Sequence, residues 1–219
     1  MRHLALLALL LLAACAEPHF PFRLTYFDAK GRAEKIRLLF RFANKTQDLI
    51  DHRIEAAKWP TLKPKTPFGQ LPILRHKDAR ISQSVAILTY CARTLGLSSY
   101  QEESFAQMLA IALGIEDLKT LTNKHKAAKD DSAIRAELKK YAQLLEKQLK
   151  GDAKYFVEER ASFADITVYD MYEQLLVDHF KDNSPAETIR TEFESPKLAK
   201  IYETVRDQVE AVPLKKDEL

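Results

Sequence analysis

The stretch Leu24-Thr25-Tyr26-Phe27-Asp28-Ala29-Lys30-Gly31-Arg32-Ala33-Glu34 ends a short β-type run on a tyrosine and opens an amphipathic helix a few residues later. Enzymes that exchange disulfides need a Cys-x-x-Cys at such a strand-to-helix junction. Phe27-Asp28-Ala29-Lys30-Gly31-Arg32 contains no cysteine, which argues against that chemistry. Tyr26 therefore stands where a nucleophile is expected. Two further places are built to bind. Gln83 and Ser84 open a helix, where free backbone N–H groups and the helix dipole favour an anion; Ser82 or Ser84 as a plain N-cap is the alternative. Leu71 precedes Pro72, and an extended segment before a proline offers its N–H and C=O to a peptide ligand.

The whole chain bounds the setting. It has 219 residues, 46% hydrophobic and 30% charged, which is ordinary globular composition with room for one large or two small domains. The net charge of +3 is interspersed, with no basic stripe carrying aromatics, so nucleic acid is not an expected partner. Residues 1–16 read as a signal peptide: Arg2 and His3, an apolar run from Leu4 to Ala14, and a small-x-small site at Ala14-Cys15-Ala16. The run is too short to span a bilayer as a helix, so no stable membrane insertion is expected. Leu12-Ala13-Ala14-Cys15 also resembles a lipobox. The last four residues, Lys216-Asp217-Glu218-Leu219, are the KDEL retention signal, and the two ends together indicate the endoplasmic reticulum lumen and a KDEL receptor as partner. Cleavage leaves Cys91 as the single cysteine, so no internal disulfide is expected; its helix suggests a buried small hydrophobe. Asn44-Lys45-Thr46 is a glycosylation acceptor in that compartment.

Positioning these residues requires a particular order of elements. Strands are expected at 22–27, 48–54, 71–76 and 79–83, with helices at 31–43 and 84–95 and a Pro-rich loop between, capped at Gly96. That order, β-α-β-α-β-β-α over residues 20–98, is a thioredoxin-like α/β layout with a mixed sheet. Beyond it the strand signals vanish. Phe105, Met108, Ala112, Ile115 and Leu118 mark one long helix, Ile134, Leu138, Tyr141 and Leu145 a second, and Leu198, Ile201, Val205 and Val209 a last one. Ser162-x-x-Asp165 is a capping box for another. Residues 101–213 are thus expected to form an all-α domain, followed by the tail at 214–219.

Five motifs in this order, "LTYF…GRAEKIRLLF", "DHRIE…KWPTLK", "PFGQLPIL", "ISQSVAILTYCA" and "SFADITVYDM", resemble the sigma class of glutathione S-transferases, a class that includes glutathione-dependent prostaglandin D synthases. The resemblance covers about residues 22–213. It implies a glutathione S-transferase fold, glutathione as co-substrate, a small electrophile as the second substrate, and a homodimer.

The resemblance also assigns roles. Free thiols have a pKa near ~8.5, so glutathione must be helped to its reactive thiolate. Tyr26 is implied as the hydrogen-bond donor to the sulfur, with Arg32 adding positive potential. Leu71, ahead of a cis Pro72, is implied to pair with the cysteinyl backbone, and Gln83 and Ser84 to hold the γ-glutamyl carboxylate. Trp59 and Lys63 are implied at the glycyl carboxylate, with Gln70 beside them, and Asp117 at the glutathione of the other subunit. Phe27, Ala29, Gly31 and Arg32 are implied to line the acceptor pocket from the first half, and residues 113–120 from the second. Two departures stand out: Glu158 replaces a usual glycine four residues before the capping serine, and the usual C-terminal segment after Pro213 is missing. The competing readings are a prostaglandin H to D isomerase and a non-catalytic crystallin-like protein. No metal site is expected.

Overall fold

The computed structural model describes residues 20–212. The expected signal peptide at 1–16 and the expected retention tail at 214–219 lie outside the described residues. In chain order the elements are β1 (Phe22–Phe27), a 3-10 turn (Gly31–Ala33), α1 (Glu34–Phe42), β2 (Leu49–Ile54), α2 (Trp59–Leu62), β3 (Ile73–His76), β4 (Ala79–Ser82), α3 (Ser84–Thr94), α4 (Glu102–Ala127), α5 (Asp131–Glu146), α6 (Phe163–Tyr172), α7 (Pro185–Glu187) and α8 (Pro196–Glu210).

The four strands form one mixed sheet in the order β2-β1-β3-β4, with β1 parallel to β2 and the other pairs antiparallel. In β1, Phe22 and Leu24 are buried and Arg23 between them is exposed, the period-2 alternation of a strand. This is the thioredoxin-like half, and the helical half follows it. α1 packs between α3 and the second-half helices α6 and α8, and Leu24, Ile36, Leu39, Leu88, Met108, Ile166 and Val205 all belong to one hydrophobic core.

Sequence periodicity locates the elements to within one or two residues, and the differences have causes. β3 starts at Ile73 rather than residue 71, because Pro72 has no N–H for the ladder; the Leu71–Pro72 peptide is cis. β4 stops at Ser82 because Gln83 turns to φ +72°. The first helix begins as a 3-10 turn, since Gly31 sits at φ +47°. Gly96, at φ +73°, closes α3, and the Leu97 N–H donates to the Ala92 carbonyl at 2.7 Å. α1 buries Lys35 and Arg37 as well as its apolar face, because it is covered on both sides. Both cations are paired: Lys35 with Glu116, and Arg37 with Glu34 and Asp51, each at 2.9 Å.

α6 begins with the expected capping box. Asp165 Oδ2 accepts from the Ser162 N–H and hydroxyl at 2.8 Å each, and Oδ1 accepts from the Phe156 N–H at 2.9 Å. The irregular segment around Glu158 is therefore anchored by the same carboxylate. Burial pushes the Asp165 carboxyl up to about 6 against these donors. A raised folded-state value means stability present at acid pH and lost as pH rises through about 6. Asp165→Ala strands three buried donors, so we expect a loss of about 3–4 kcal/mol of stability; urea unfolding checks this, and since burial also pushes the Asp170 carboxyl up to about 6, the wild type should be more stable at pH 5 than at pH 8, by a margin that shrinks in Asp165→Ala.

Candidate functional site

β1 ends on Tyr26 and Phe27, held in parallel register against Arg53 and Ile54. Tyr26 is half-buried against the core. The chain that follows doubles back over its ring. The Arg32 N–H donates to Tyr26 Oη at 3.2 Å, and a Cβ on Gly31 would stand 2.6 Å from that same oxygen. Only glycine permits both this approach and φ +47°. The backbone thus supplies the donor that Oη accepts, and the hydroxyl proton is left to donate to another group.

A cleft of about 340 Å³ is lined by Phe27, the neighbour of Tyr26 in the chain, and by Arg32, whose N–H binds the Tyr26 hydroxyl; Tyr26 itself is not among the lining residues. Phe27, Arg32 and Trp59 line one side, with the Phe27 and Trp59 rings edge to face at 5.5 Å. Gln70, Leu71 and cis Pro72 line another, and Ser82, Gln83 and Ser84 close it at the start of α3. Gln83 Nε2 and Gln70 Oε1 are 3.4 Å apart. No side chain caps α3, whose N-cap position is Gln83, so the plain capping alternative for Ser82 and Ser84 is not what forms. Ser82 Oγ is buried without a hydrogen-bond partner. An uncapped helix start, an orphaned hydroxyl and a cis-proline backbone suit a peptide ligand with a carboxylate.

The other candidates fall outside this lining. Lys63 is exposed, its Cε 3.5 Å from where a Cβ on Gly69 would lie, and Gly69 belongs to the cleft wall. Ala29 is exposed and Gly31 stands over Tyr26, so neither lines the cleft. Asp117 is exposed on α4. Asn44 is exposed at φ +53° just past α1. Cys91 is buried and its thiol is pushed up to about 12 by burial, which removes it as a reactive group. A larger cleft of about 910 Å³ lies away from Tyr26, between α4 and the segment 147–159.

The helical half holds the Tyr26 loop at three successive residues. Lys30 pairs with Asp178 at 2.7 Å. The Gly31 carbonyl accepts from Lys119 Nζ at 2.8 Å and from Gln174 Nε2 at 3.1 Å. Arg32 pairs with Glu116 at 3.3 Å, and Glu116 also binds the buried Lys35. Burial pushes the Glu116 carboxyl up, but Lys35, Arg32 and Lys119 outweigh it and the net shift is downward. Gln174 and Asp178 lie on a π-helical stretch, Glu173–His179, that continues α6.

Residues 22–93 match the glutathione S-transferase N-terminal domain and residues 117–210 its C-terminal domain. The chain is 34% identical over 197 residues to the chicken (Gallus gallus) protein named hematopoietic prostaglandin D synthase, covering 88% of this chain and 92% of that one. It belongs to the glutathione S-transferase family. Glutathione S-transferase 1 of Ascaris suum is 34% identical over 174 residues, 72% of this chain and 82% of that one. Among solved structures, the Nu-class glutathione S-transferase of Haemonchus contortus superposes with a TM-score of 0.71 at 28% identity, over 90% of this chain and 99% of that one. This chain is accordingly a glutathione transferase, with glutathione as co-substrate.

For a transferase of this family, the sequence reading set residues 113–120 at the acceptor pocket without seeing that Glu116 and Lys119 grip the Tyr26 loop, and it left out Gln174 and Asp178, which grip it too. One signal was present. Lys119 falls in the apolar stripe of α4, next to Leu118 and four residues after Ile115, where a lysine needs a partner.

Proposed function

We propose that this transferase conjugates the glutathione thiolate to small electrophiles, as a homodimer in the endoplasmic reticulum lumen. The observation that carries the chemistry is the Tyr26 hydroxyl: its oxygen accepts from the N–H of Arg32, a residue of the cleft wall, which leaves its proton to donate to a sulfur brought in over Phe27 and Arg32. A hydroxyl donating to sulfur favours the charged form. Lowering a thiol pKa by about two units corresponds to about 2.7 kcal/mol. The thiolate then attacks the electrophilic carbon, the C–S bond forms, and the leaving group departs with its bonding pair.

The rest of the cleft orients glutathione. Leu71 pairs with the cysteinyl backbone, the start of α3 with Gln83 and Ser84 holds the γ-glutamyl carboxylate, and Gln70, Trp59 and Lys63 serve the glycyl end. Arg32 adds positive potential, tempered by its pairing with Glu116. Asp117, exposed on α4, is available to the glutathione of a second copy. Phe27 and Arg32 face the electrophile from the first half, with Ala29 and Gly31 behind them.

The prostaglandin isomerase reading is favoured by the similarity to the chicken protein. Against it, Arg32 of the cleft wall is paired at 3.3 Å with Glu116 of the second half, which sets a charged pair at the junction of the two halves, where a lipid substrate needs apolar wall. Each Å² of apolar surface left wet forfeits about 25 cal/mol. We therefore expect kcat/KM for a small aryl halide to exceed that for prostaglandin H. A strong preference for prostaglandin H with a single D-type product would replace conjugation by isomerisation as the function.

The lumenal assignment rests on the signal-peptide and KDEL patterns, and a buried, unreactive Cys91 suits an oxidising compartment. It predicts that Asn44, exposed and outside any regular element, carries a high-mannose glycan in protein made by its own cells. Intact mass before and after a high-mannose-cleaving glycosidase checks this, together with a chain start at Glu17. No mass shift would count against lumenal residence.

A further inference from the structure

We propose that Lys119 is a positioning residue that strengthens the Tyr26 hydroxyl as a donor by acting through one peptide unit. The Gly31 carbonyl and the Arg32 N–H belong to the same peptide. Lys119 Nζ donates to that carbonyl at 2.8 Å, and the N–H at the other end of the unit donates to Tyr26 Oη at 3.2 Å. An ammonium on the carbonyl oxygen draws electron density through the peptide, making its N–H a better donor. A stronger donor at Oη in turn makes the O–H a better donor to the glutathione sulfur. The inference rests on the glutathione reading of the cleft.

The surroundings fit a relay rather than a chance contact. Lys119 is only 8% exposed, and a lysine so placed needs compensation. The charged groups facing it are Asp170 on α6, Glu116 on its own helix, and Lys35 and Arg32 from the first half. Burial lowers its pKa, Lys35 and Arg32 add to that, and Asp170 and Glu116 oppose it. Gln174 supplies the second donor to Gly31 at 3.1 Å and donates to Asp170 at 2.7 Å, so the carbonyl is fixed from two directions. The pairs Lys30–Asp178 and Arg32–Glu116 hold the residues on either side and keep the peptide from turning. Gly31 makes the orientation possible, because a side chain there would strike Oη.

The test is the ionisation of the thiol of bound glutathione, followed by thiolate ultraviolet absorbance against pH, in wild type, Lys119→Met, Lys119→Gln and Lys119→Arg. Unfolding midpoints and glutathione affinities are recorded alongside. Losing the cationic donor should make the bound thiol about threefold less acidic, roughly half a pH unit. Lys119→Arg should restore most of the difference. Lys119→Gln, which keeps a neutral donor and is the milder change should Lys119→Met fold poorly, should fall between. In a Tyr26→Phe background, Lys119→Met should add no further shift. Unchanged thiol acidity in a folded Met or Gln variant overturns the relay, even if stability or affinity falls. An equal shift with and without the Tyr26 hydroxyl also overturns it, since the cation would then act through space. A wild-type thiol that titrates like free glutathione overturns the reading of the cleft itself, and the relay with it.

Discussion

Tyr26→Phe is expected to lower conjugation at neutral pH by roughly ten- to a hundredfold, the value of one charge-assisted hydrogen bond of about 1.5–3 kcal/mol. The ring stays and its packing with it; only the hydroxyl goes. That hydroxyl is the acceptor for the Arg32 N–H and the proposed donor to the sulfur, so both bonds are lost together. The loss should shrink as pH rises toward the ordinary thiol pKa, because the thiolate then forms without help. A pH–rate profile reads this directly. An unchanged rate and an unchanged profile would assign activation to another group.

Gly31→Ala is expected to cost as much activity by a different route, with a loss of stability that Tyr26→Phe lacks. The added Cβ would lie 2.6 Å from Tyr26 Oη and 2.9 Å from Cε1, distances that force a shift. Its φ of +47° adds about 1 kcal/mol for any residue with a Cβ. Moving the loop carries the Gly31 carbonyl away from Lys119 and Gln174 and the Arg32 N–H away from Oη. A displacement near 1 Å at a reacting group is enough for about a hundredfold loss. Denaturant unfolding and kcat/KM should fall together. Combining Gly31→Ala with Tyr26→Phe should recover part of the stability, since the closest clash is with the oxygen the second change removes. Full activity in Gly31→Ala would show that the close approach is incidental.

Much of the glutathione half was legible because its signals are local. Tyr26 lies at the end of a strand with alternating burial and Gln83-Ser84 opens a helix, each set by residues a few positions away, whereas the cis peptide at Pro72 was implied by the family resemblance and not by its neighbours. The capping box at Ser162 and Asp165 is local in the same sense. What sequence alone did not expose is the grip on the Tyr26 loop. Gly31 meets Lys119 and Gln174 across 88 and 143 residues of chain, and nothing in local periodicity reports such a pairing. The π-helical stretch at 173–179 has no repeat of its own to read, yet it presents Gln174 and Asp178 to the loop. One residue of register decides the acid on α4. Neighbours on a helix differ by about 100° in direction, so Glu116 faces Arg32 and Lys35 while Asp117 faces outward. Lys35 and Arg37 lie off the apolar face of the first helix, and their burial is not legible in its periodicity, because it is a second layer that covers α1.

The most direct test of a Tyr26-activated glutathione site is the ionisation of glutathione bound to the wild-type protein. Saturable binding, with a thiolate that forms about one to two pH units below the ordinary value near ~8.5, is the predicted result. Failure to bind glutathione, or binding with the acidity of the free thiol, would contradict it.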